Sequence, residues 1–290
     1  MRHSWMSAGA ASGDLLYVSD DGYGSVMVYS YGPRAITFVG VLSAPIDPGP
    51  MCVDKQQNIW ILGEAKGTNY SATEYAHGGT TPIAVLTDPA GVPVGCATDP
   101  TTGNLALASN PSLTGGDRSP TVAVYRNGSG NPKIYQNTST DGFYGCCAYD
   151  HSGNFYAAGE EATGGRNVIQ VLPKGSKTFT SFTLDREVNG LYGMQWVGKY
   201  FTVSDSFLSN DSSILEYTVS SKGVTFARDI SLKGVTLLWQ YYIDRNRIIA
   251  PNAPFEGPGS VGLFKYSDGA PIRTFPFSIP VAVVVSRAPK

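Results

Sequence analysis

Short runs of alternating apolar and polar residues, each ending in a turn rich in Gly, Asn or Asp, recur along the chain. The clearest units read PGPMCVDKQQNIWIL from Pro48, PVGCATDPTTGNLALAS from Pro93 and FYGCCAYDHSGNFYAAG from Phe143. Each predicts a strand, a tight turn and a second strand. Weaker copies begin at Leu191 and Leu237. Few segments place apolar residues at helical spacing, so the pattern predicts an all-β protein.

The repeat has the period of a propeller blade. The equivalent positions Asp54, Asp99, Asp150, Val197 and Asp244 are 45, 51, 47 and 47 residues apart. Each unit continues with two further predicted strands, for example VAVYRNGSG and then PKIYQNT, separated by hairpin-forming residues. Four strands per repeat at this spacing predict five complete blades of a β-propeller.

The two ends of the chain supply the sixth blade. The start gives three strands, DLLYVSD, SVMVYSYG and AITFVGVL, which match the second, third and fourth strands of the other units. The end gives IPVAVVVSRAPK, which matches the missing first strand. We therefore predict one six-bladed propeller domain over residues 14–290, preceded by a flexible tail at residues 1–13. Pairing the two ends would remove open sheet edges.

The run LLYVSDDGYGSVMVYSYG resembles the repeat of NHL-type propellers, and the whole ring is similar to the wider group that includes the SMP-30/gluconolactonase family. The resemblance implies a six-bladed fold whose members include hydrolases and binding scaffolds. Gluconolactonase-like proteins bind a divalent metal through residues on the first strands. The matching positions here are poor ligands for a hard cation, so this chain departs from that pattern: Gly49, Val94, Tyr144, Tyr192, Leu238 and Val281.

Every second strand ends in Asp, Glu or Asn: Asp20, Glu64, Asn110, Glu160, Asp205 and Asn252. One interpretation is a ring of oxygen ligands at the channel mouth that binds Ca²⁺ or another divalent cation, with Glu64, Glu160 and Asp205 as catalytic groups. Ligand contacts would come from Asp20, Asn110 and Asn252, and from Glu161, which follows Glu160 in the sequence. The alternative is that these side chains cap the following loops by accepting backbone N–H bonds.

Aromatic residues approach the same face at the starts of first strands, and we expect Tyr144, Tyr192 and Trp239 to contact a ligand. Packing over the blade interfaces is the alternative interpretation. His77 and His151 fall in turns on the opposite face, which argues against a Ser-His-Asp triad at the mouth.

The four cysteines form no CxxC pair, and Cys52 and Cys96 occupy positions that face each other across neighbouring blades. One interpretation is that all four are small buried apolar residues. The alternative is a disulfide between Cys52 and Cys96 at the narrow inner end of the interface, which would fit an extracytoplasmic protein.

The composition limits the classes of partner that we expect for this protein. Of 290 residues, 42% are hydrophobic and 15% charged, and the net charge is −2. The sequence contains no run of basic residues of the kind that binds nucleic acid, and no apolar stretch is long enough to span a bilayer. We expect a monomer that acts on a small molecule or glycan.

Two functions remain open. The complete polar ring favours a hydrolase for a small ester, lactone or phosphoester. A non-catalytic secreted or surface module that recognises a glycan, peptide or small molecule is the alternative.

Overall fold

The computed structural model describes residues 3–32, 35–43, 45, 47–64, 70–89, 91–111, 119–137, 142–161, 165–206, 211–220 and 223–289. These residues form six antiparallel sheets, which confirms the predicted six-bladed propeller. We name the blades A to F in chain order. Within the described residues no helix is long and apolar enough to cross a membrane.

Each blade is an antiparallel sheet whose innermost strand is the first strand of the sequence repeat; in blade A that strand comes from the far end of the chain. Blade A contains β1 (Trp5–Met6), β2 (Leu15–Asp20), β3 (Ser25–Tyr31), β4 (Ile36–Leu42) and, from the far end of the chain, β25 (Pro280–Ser286). Blade B contains β5 (Met51–Val53), β6 (Ile59–Glu64), β7 (Tyr70–Tyr75) and β8 (Pro82–Thr87). Blade C contains β9 (Val92–Thr98), β10 (Leu105–Asn110), β11 (Thr121–Tyr125) and β12 (Lys133–Gln136).

The other three blades repeat this order. Blade D contains β13 (Gly142–Tyr149), β14 (Phe155–Glu161), β15 (Asn167–Leu172) and β16 (Thr180–Thr183). Blade E contains β17 (Met194–Val197), β18 (Tyr200–Asp205), β19 (Ser212–Ser220) and β20 (Gly223–Leu232). Blade F contains β21 (Tyr242–Asp244), β22 (Arg247–Asn252), β23 (Ser260–Lys265) and β24 (Pro271–Pro276). Short 3₁₀ turns lie at Ala10–Ser12, Asp21–Tyr23 and Arg126–Gly128.

The ring closes in blade A as the sequence predicts. Strand β25 pairs antiparallel with β2, placing Leu15 opposite Ser286 and Val18 opposite Val283. Arg287, just after β25, forms salt bridges to Asp14 and to Asp244 of blade F. Both chain ends are therefore joined to each other and to a neighbouring blade.

The apolar core lies between the blades rather than within one central cluster. Six clusters of buried residues fill the six interfaces between neighbouring sheets. The interface between blades B and C, for example, packs Trp60 and Leu62 against Leu105 and Tyr125. Alternation along a strand sends side chains to both faces of a sheet, so each blade contributes to two interfaces.

The repeated aspartates shape the turns between first and second strands. The Oδ1 atom of Asp150 accepts hydrogen bonds from the backbone N–H groups of Ser152 and Asn154. Asp54 accepts from the N–H of Asn58 in the same way. Aspartate is common in such turns because its short side chain reaches the backbone a few residues ahead.

Part of the segment predicted as a tail lies against blade A. Trp5 and Met6 pair with Val41 and Gly40 of β4 and add a fifth strand. The Trp5 ring contacts Phe38 edge-on, with 5.5 Å between centroids.

Candidate functional site

A cup opens at the channel mouth where the inner strands begin. We call it the mouth cup; its volume is about 370 Å³ and its lining is mostly apolar. It is lined by Asp21, Asp47, Pro48, Gly49, Pro50, Pro93, Val94, Asn110, Tyr144, Gly145, Tyr192, Trp239, Gln240 and Val281. Most of the first-strand positions that the sequence marks as poor metal ligands are therefore walls of this cup.

Bulges in the inner strands shape the wall of the mouth cup. In β9 the register shifts around Val94, in β13 around Gly145 and in β25 around Val281. An extra residue in one strand of an antiparallel pair bends that strand and redirects side chains, and such bulges are frequent beside functional sites.

All three aromatic residues predicted as ligand contacts line the mouth cup. The rings of Tyr192 and Trp239 stack on each other, with centroids 4.5 Å apart and planes inclined by 29°. Tyr144 is only 3% exposed. The stacked pair fixes two aromatic surfaces at the mouth, since each ring restricts the rotation of the other.

Asn110 lines the mouth cup and positions Tyr144. Its Oδ1 accepts a hydrogen bond from the Tyr144 N–H at 2.7 Å, and its Nδ2 donates to the Tyr144 carbonyl at 2.9 Å. This carboxamide therefore joins blade C to the inner strand of blade D.

Asp205 and its neighbour Ser204 hold the segment that carries Tyr192. Asp205 Oδ1 accepts from the N–H of Asn189 at 2.8 Å. The buried Ser204 hydroxyl accepts from the N–H groups of Tyr192 and Gly193, both at 2.9 Å. Asp205, predicted as a catalytic group, is thus engaged as a loop cap in this structure.

Asp20 and Asn252 hold loops in the same way. Asp20 is fully buried, and its carboxylate accepts a hydrogen bond from the N–H of Tyr23, just after β2. It also accepts from the N–H groups of Ser278 and Ile279, which immediately precede β25. Asn252 Oδ1 accepts from the N–H groups of Thr236 and Leu237, just before Trp239. Four of the six strand-end residues thus use their side chains to hold the chain as it enters an inner strand.

The glutamates are placed differently. Glu160 is exposed and lines a groove of about 280 Å³ beside the mouth cup, together with Tyr144 and Tyr192. Glu161 is half-buried at the end of β14, and Glu64 is half-buried at the end of β6, next to residues outside the described part of the chain. Glu64 lines neither the cup nor this groove.

Two carboxylates that the sequence reading missed line the mouth cup. Asp21 directly follows β2, and Asp47 lies in the approach to β5. Both side chains are exposed at the rim of the cup. Partial burial raises the pKa of the Asp21 carboxyl, and the neighbouring carboxylates of Asp47 and Asp20 raise it further. Both aspartates lie outside the strands, so the repeat pattern of the strand ends does not reveal them. None of the described residues that line the cup is Lys, Arg or His.

Gln240 forms part of the boundary between the mouth cup and a cavity on the opposite face. Its backbone pairs with that of β25, while its side chain bonds to both the N–H and the carbonyl of Met51 in blade B. It lines both the mouth cup and the opposite cavity, whose volume is about 340 Å³. His151 and Trp196 line that second cavity, so His151 lies on the far side as predicted.

The disulfide between Cys52 and Cys96 is present and links the inner strands of blades B and C, with 5.8 Å between Cα atoms. Cys146 and Cys147 are free and buried. Burial raises the pKa of the Cys147 thiol to about 12 and that of Cys146 well above its usual value. Both remain protonated near neutral pH and are poor nucleophiles.

In the part of the chain that the structure describes, no group of three or more His, Cys, Asp or Glu side chains is arranged to hold calcium or another metal ion. The strand-end carboxylates of Asp20 and Asp205 are instead directed at backbone N–H groups.

Several solved structures share the fold. A Bacteroides caccae protein of unknown function aligns with a TM-score of 0.68 at 12% identity, over 95% of this chain and 100% of that one. A "putative 6-phosphogluconolactonase" from Bacteroides uniformis aligns with a TM-score of 0.63 at 11% identity, over 94% and 99%. Hydrazine synthase from Kuenenia stuttgartiensis aligns with a TM-score of 0.64 at 12% identity, over 98% and 94%.

No family model and no curated protein match the chain. At such low identity the structural matches establish the six-bladed fold alone.

Proposed function

We propose that the protein is a binding module that takes a small molecule with an apolar ring into the mouth cup. The observation that carries this proposal is the cup itself, an apolar cavity at the channel mouth with the stacked rings of Tyr192 and Trp239 in its wall. Concave, mostly apolar cavities with a few placed polar groups are the usual form of small-molecule sites.

The hydrogen bonds of the strand-end residues favour binding over catalysis. Asp20, Asp205 and Asn252 use their oxygens to accept backbone N–H groups, and Asn110 pairs with the backbone of Tyr144. Both oxygens of the buried Asp20 carboxylate and Oδ1 of Asp205 are directed at backbone N–H groups, so these oxygens are oriented towards loops rather than towards a substrate in the cup.

The test is ligand-observed NMR of a library of small ring compounds against the wild type and Trp239→Ala. We expect hits with the wild type that are lost in Trp239→Ala and retained in Trp5→Ala, which removes an exposed tryptophan from the outer edge of blade A. Hits that survive Trp239→Ala unchanged would contradict the assignment of the cup.

A hydrolase that acts on a small ester, lactone or phosphoester is the second candidate, and Glu160 is the observation that favours it. Its side chain is exposed in a groove lined by Tyr144 and Tyr192, so a substrate in the cup would lie close to a carboxylate. One structural neighbour also carries a lactonase name.

This candidate is tested by assaying ester, lactone and phosphoester substrates with and without calcium. Glu160→Gln should lower any turnover by roughly 100-fold or more if Glu160 is a general base. Glu187→Gln, in the exposed connection between β16 of blade D and β17 of blade E, should leave turnover unchanged. A calcium-dependent rise in melting temperature that EDTA reverses would support metal binding. Turnover that Glu160→Gln leaves intact would contradict the assignment of this residue.

We also propose that the protein works in an extracytoplasmic compartment, as a secreted, periplasmic or surface protein. The support is the disulfide between Cys52 and Cys96, because such bonds persist mainly in oxidising compartments. Mass spectrometry of the protein from its native cells under non-reducing conditions should find this bond; four free thiols would contradict the proposal.

A further inference from the structure

The mouth cup combines aromatic surfaces with negative charge and has no described basic residue to balance it. Tyr144, Tyr192 and Trp239 supply the rings, and Asp21 and Asp47 supply the carboxylates. Neither aspartate forms a salt bridge among the described residues. The two carboxylates are close enough for Asp47 to raise the pKa of Asp21.

These features differ in what they attract. An apolar wall favours any ligand that buries apolar surface, charged or neutral. Carboxylates without a cationic partner at the rim of a concave cavity create a negative potential that attracts cations and repels anions, most strongly at low ionic strength because Asp21 and Asp47 are exposed. The faces of Trp and Tyr rings also attract cations, most strongly when an ammonium group lies over a Trp.

We propose that the natural ligand of the mouth cup is an organic cation, an ammonium group attached to a small apolar body. The inference rests on the proposed binding function and adds the charge of the ligand to it. The apolar body contacts the wall near Val94 and Tyr144, and the ammonium group interacts with Asp21 and Asp47. An anionic ligand of the same size is disfavoured by the same two carboxylates.

The aspartates can be neutralised with little change in shape. Asn has the size of Asp, and it tolerates the left-handed backbone that Asp47 adopts, with φ of 47°. The double variant Asp21→Asn/Asp47→Asn therefore removes the charge and leaves the cup in place. Asp268→Asn, in the exposed turn between β23 and β24, is the matched control.

The experiment is isothermal titration calorimetry at low ionic strength with three probes that share a benzyl or phenyl ring. These are benzyltrimethylammonium, which is cationic, benzyl alcohol, which is neutral, and phenylacetate, which is anionic. We expect the cation to bind about 10-fold more tightly than the alcohol to the wild type, and phenylacetate to bind most weakly. In the double aspartate variant this preference should fall to the roughly 2- to 5-fold that the aromatic rings alone supply, while Asp268→Asn retains the full preference.

Trp239→Ala separates the two proposals. This variant should weaken the binding of both the cation and the alcohol, because it removes part of the wall that both contact. If the alcohol binds and Trp239→Ala abolishes its binding, but the cation shows no advantage, the cup is a ligand site and the cation inference is wrong. If none of the probes binds the wild type, both proposals are contradicted. A cation preference that is undiminished by removal of both aspartates would also overturn the inference.

Discussion

At the scale of single residues, side-chain amides take the place of missing strand partners. Asn110 offers an acceptor and a donor to the backbone of Tyr144, as a paired strand would. The same two-bond arrangement joins Gln195 to Ile243 and Gln240 to Met51. The inner strands of a propeller fan around the channel without a continuous ladder between blades, so these amides satisfy backbone groups that would otherwise lack partners.

Asn110→Ala should destabilise the protein and disturb the mouth cup. It leaves the N–H and carbonyl of Tyr144 without their partners, and the loss of a hydrogen-bonded partner from a buried group costs about 1–3 kcal/mol. Chemical denaturation should show this decrease in the free energy of unfolding. Asn131→Ala, in the exposed turn before β12, is the control and should change it little; equal effects of the two variants would contradict this role.

The Asp14 carboxylate should stabilise the folded protein near neutral pH, and this contribution should be lost in acid. Burial alone would raise the pKa of its carboxyl, but hydrogen bonds from the Ala288 N–H and the Arg287 guanidinium outweigh burial and hold the pKa below its usual 3.8. A lowered pKa in the folded state means that this stabilisation is present above pH 3.8 and is lost as the pH falls through the folded value.

The measurement compares the free energies of unfolding of the wild type and Asp14→Asn across pH. The wild type should be the more stable near neutral pH, and the difference should shrink as the pH falls below 3.8. The effect is small because the side chains of Asp14 and Arg287 are 26% and 28% exposed. A difference that stays constant down to the acid transition would contradict the assigned ion pair.

At the scale of elements, the inner strands join neighbouring blades as well as lining the channel. The Cys52–Cys96 disulfide connects β5 to β9, and the Thr98 hydroxyl donates to the Val53 carbonyl across the same pair of strands at 2.7 Å. Blades B and C are thus linked covalently at their inner edge. The bond closes a loop with a sequence separation of 44 residues.

Removal of this disulfide should lower the free energy of unfolding by about 2–4 kcal/mol, since cross-links of this span restrict the unfolded chain. The double variant Cys52→Ser/Cys96→Ser should melt at a lower temperature than the wild type. A reductant should lower the melting temperature of the wild type and leave that of the variant unchanged. Equal melting temperatures for oxidised and reduced wild type would contradict a structural role for the bond.

The elements also show what the sequence can and cannot predict. The repeat spacing and the alternating strands predicted all six blades, although blade E carries Val197 in place of the turn aspartate, and the opposite orientations of Cys52 and Cys96 indicated the disulfide as one of two interpretations. Bulges at Val94 and Val281 were not predicted, because a bulge depends on pairing with another strand and leaves no local signal. The aromatic lining followed from strand starts, whereas Asp21 and Asp47 lie in loops whose approach depends on the closed ring.

At the scale of the whole molecule, stability depends on closing the ring. Strand β25 is the inner strand of blade A and contributes to the cores on both sides of that blade through Ala282, Val283 and Val284. His77 of blade B adds to the closure, with its Nδ1 atom 2.6 Å from the Ser286 hydroxyl and its Nε2 atom 3.0 Å from the Gly13 carbonyl.

Truncation tests the closure. A chain that ends at Ile279 lacks β25 and leaves β2 with an open edge and two exposed interfaces, so we expect it to lose cooperative unfolding or to aggregate. Deletion of residues 1–9 removes the edge strand β1, the Met6 side chain that packs on the core between blades A and B and the hydrogen bonds of Ser4 to Ser43, but leaves the ring closed, so it should lower the melting temperature by only a few degrees. A cooperative transition in the first variant would contradict the closed ring as the source of stability.

The ligand site at the mouth is tested most directly by the indole N–H signals of the protein in ¹H–¹⁵N NMR spectra. The four tryptophans give four such signals, and Trp239 lines the mouth cup, Trp196 lines the opposite cavity, and Trp5 and Trp60 lie elsewhere. With benzyltrimethylammonium added, we predict a saturable shift of the Trp239 signal, assigned by its loss in Trp239→Phe, while those of Trp5 and Trp60 stay in place. A fixed Trp239 signal, or a shift confined to Trp196, would contradict the mouth cup as the binding site.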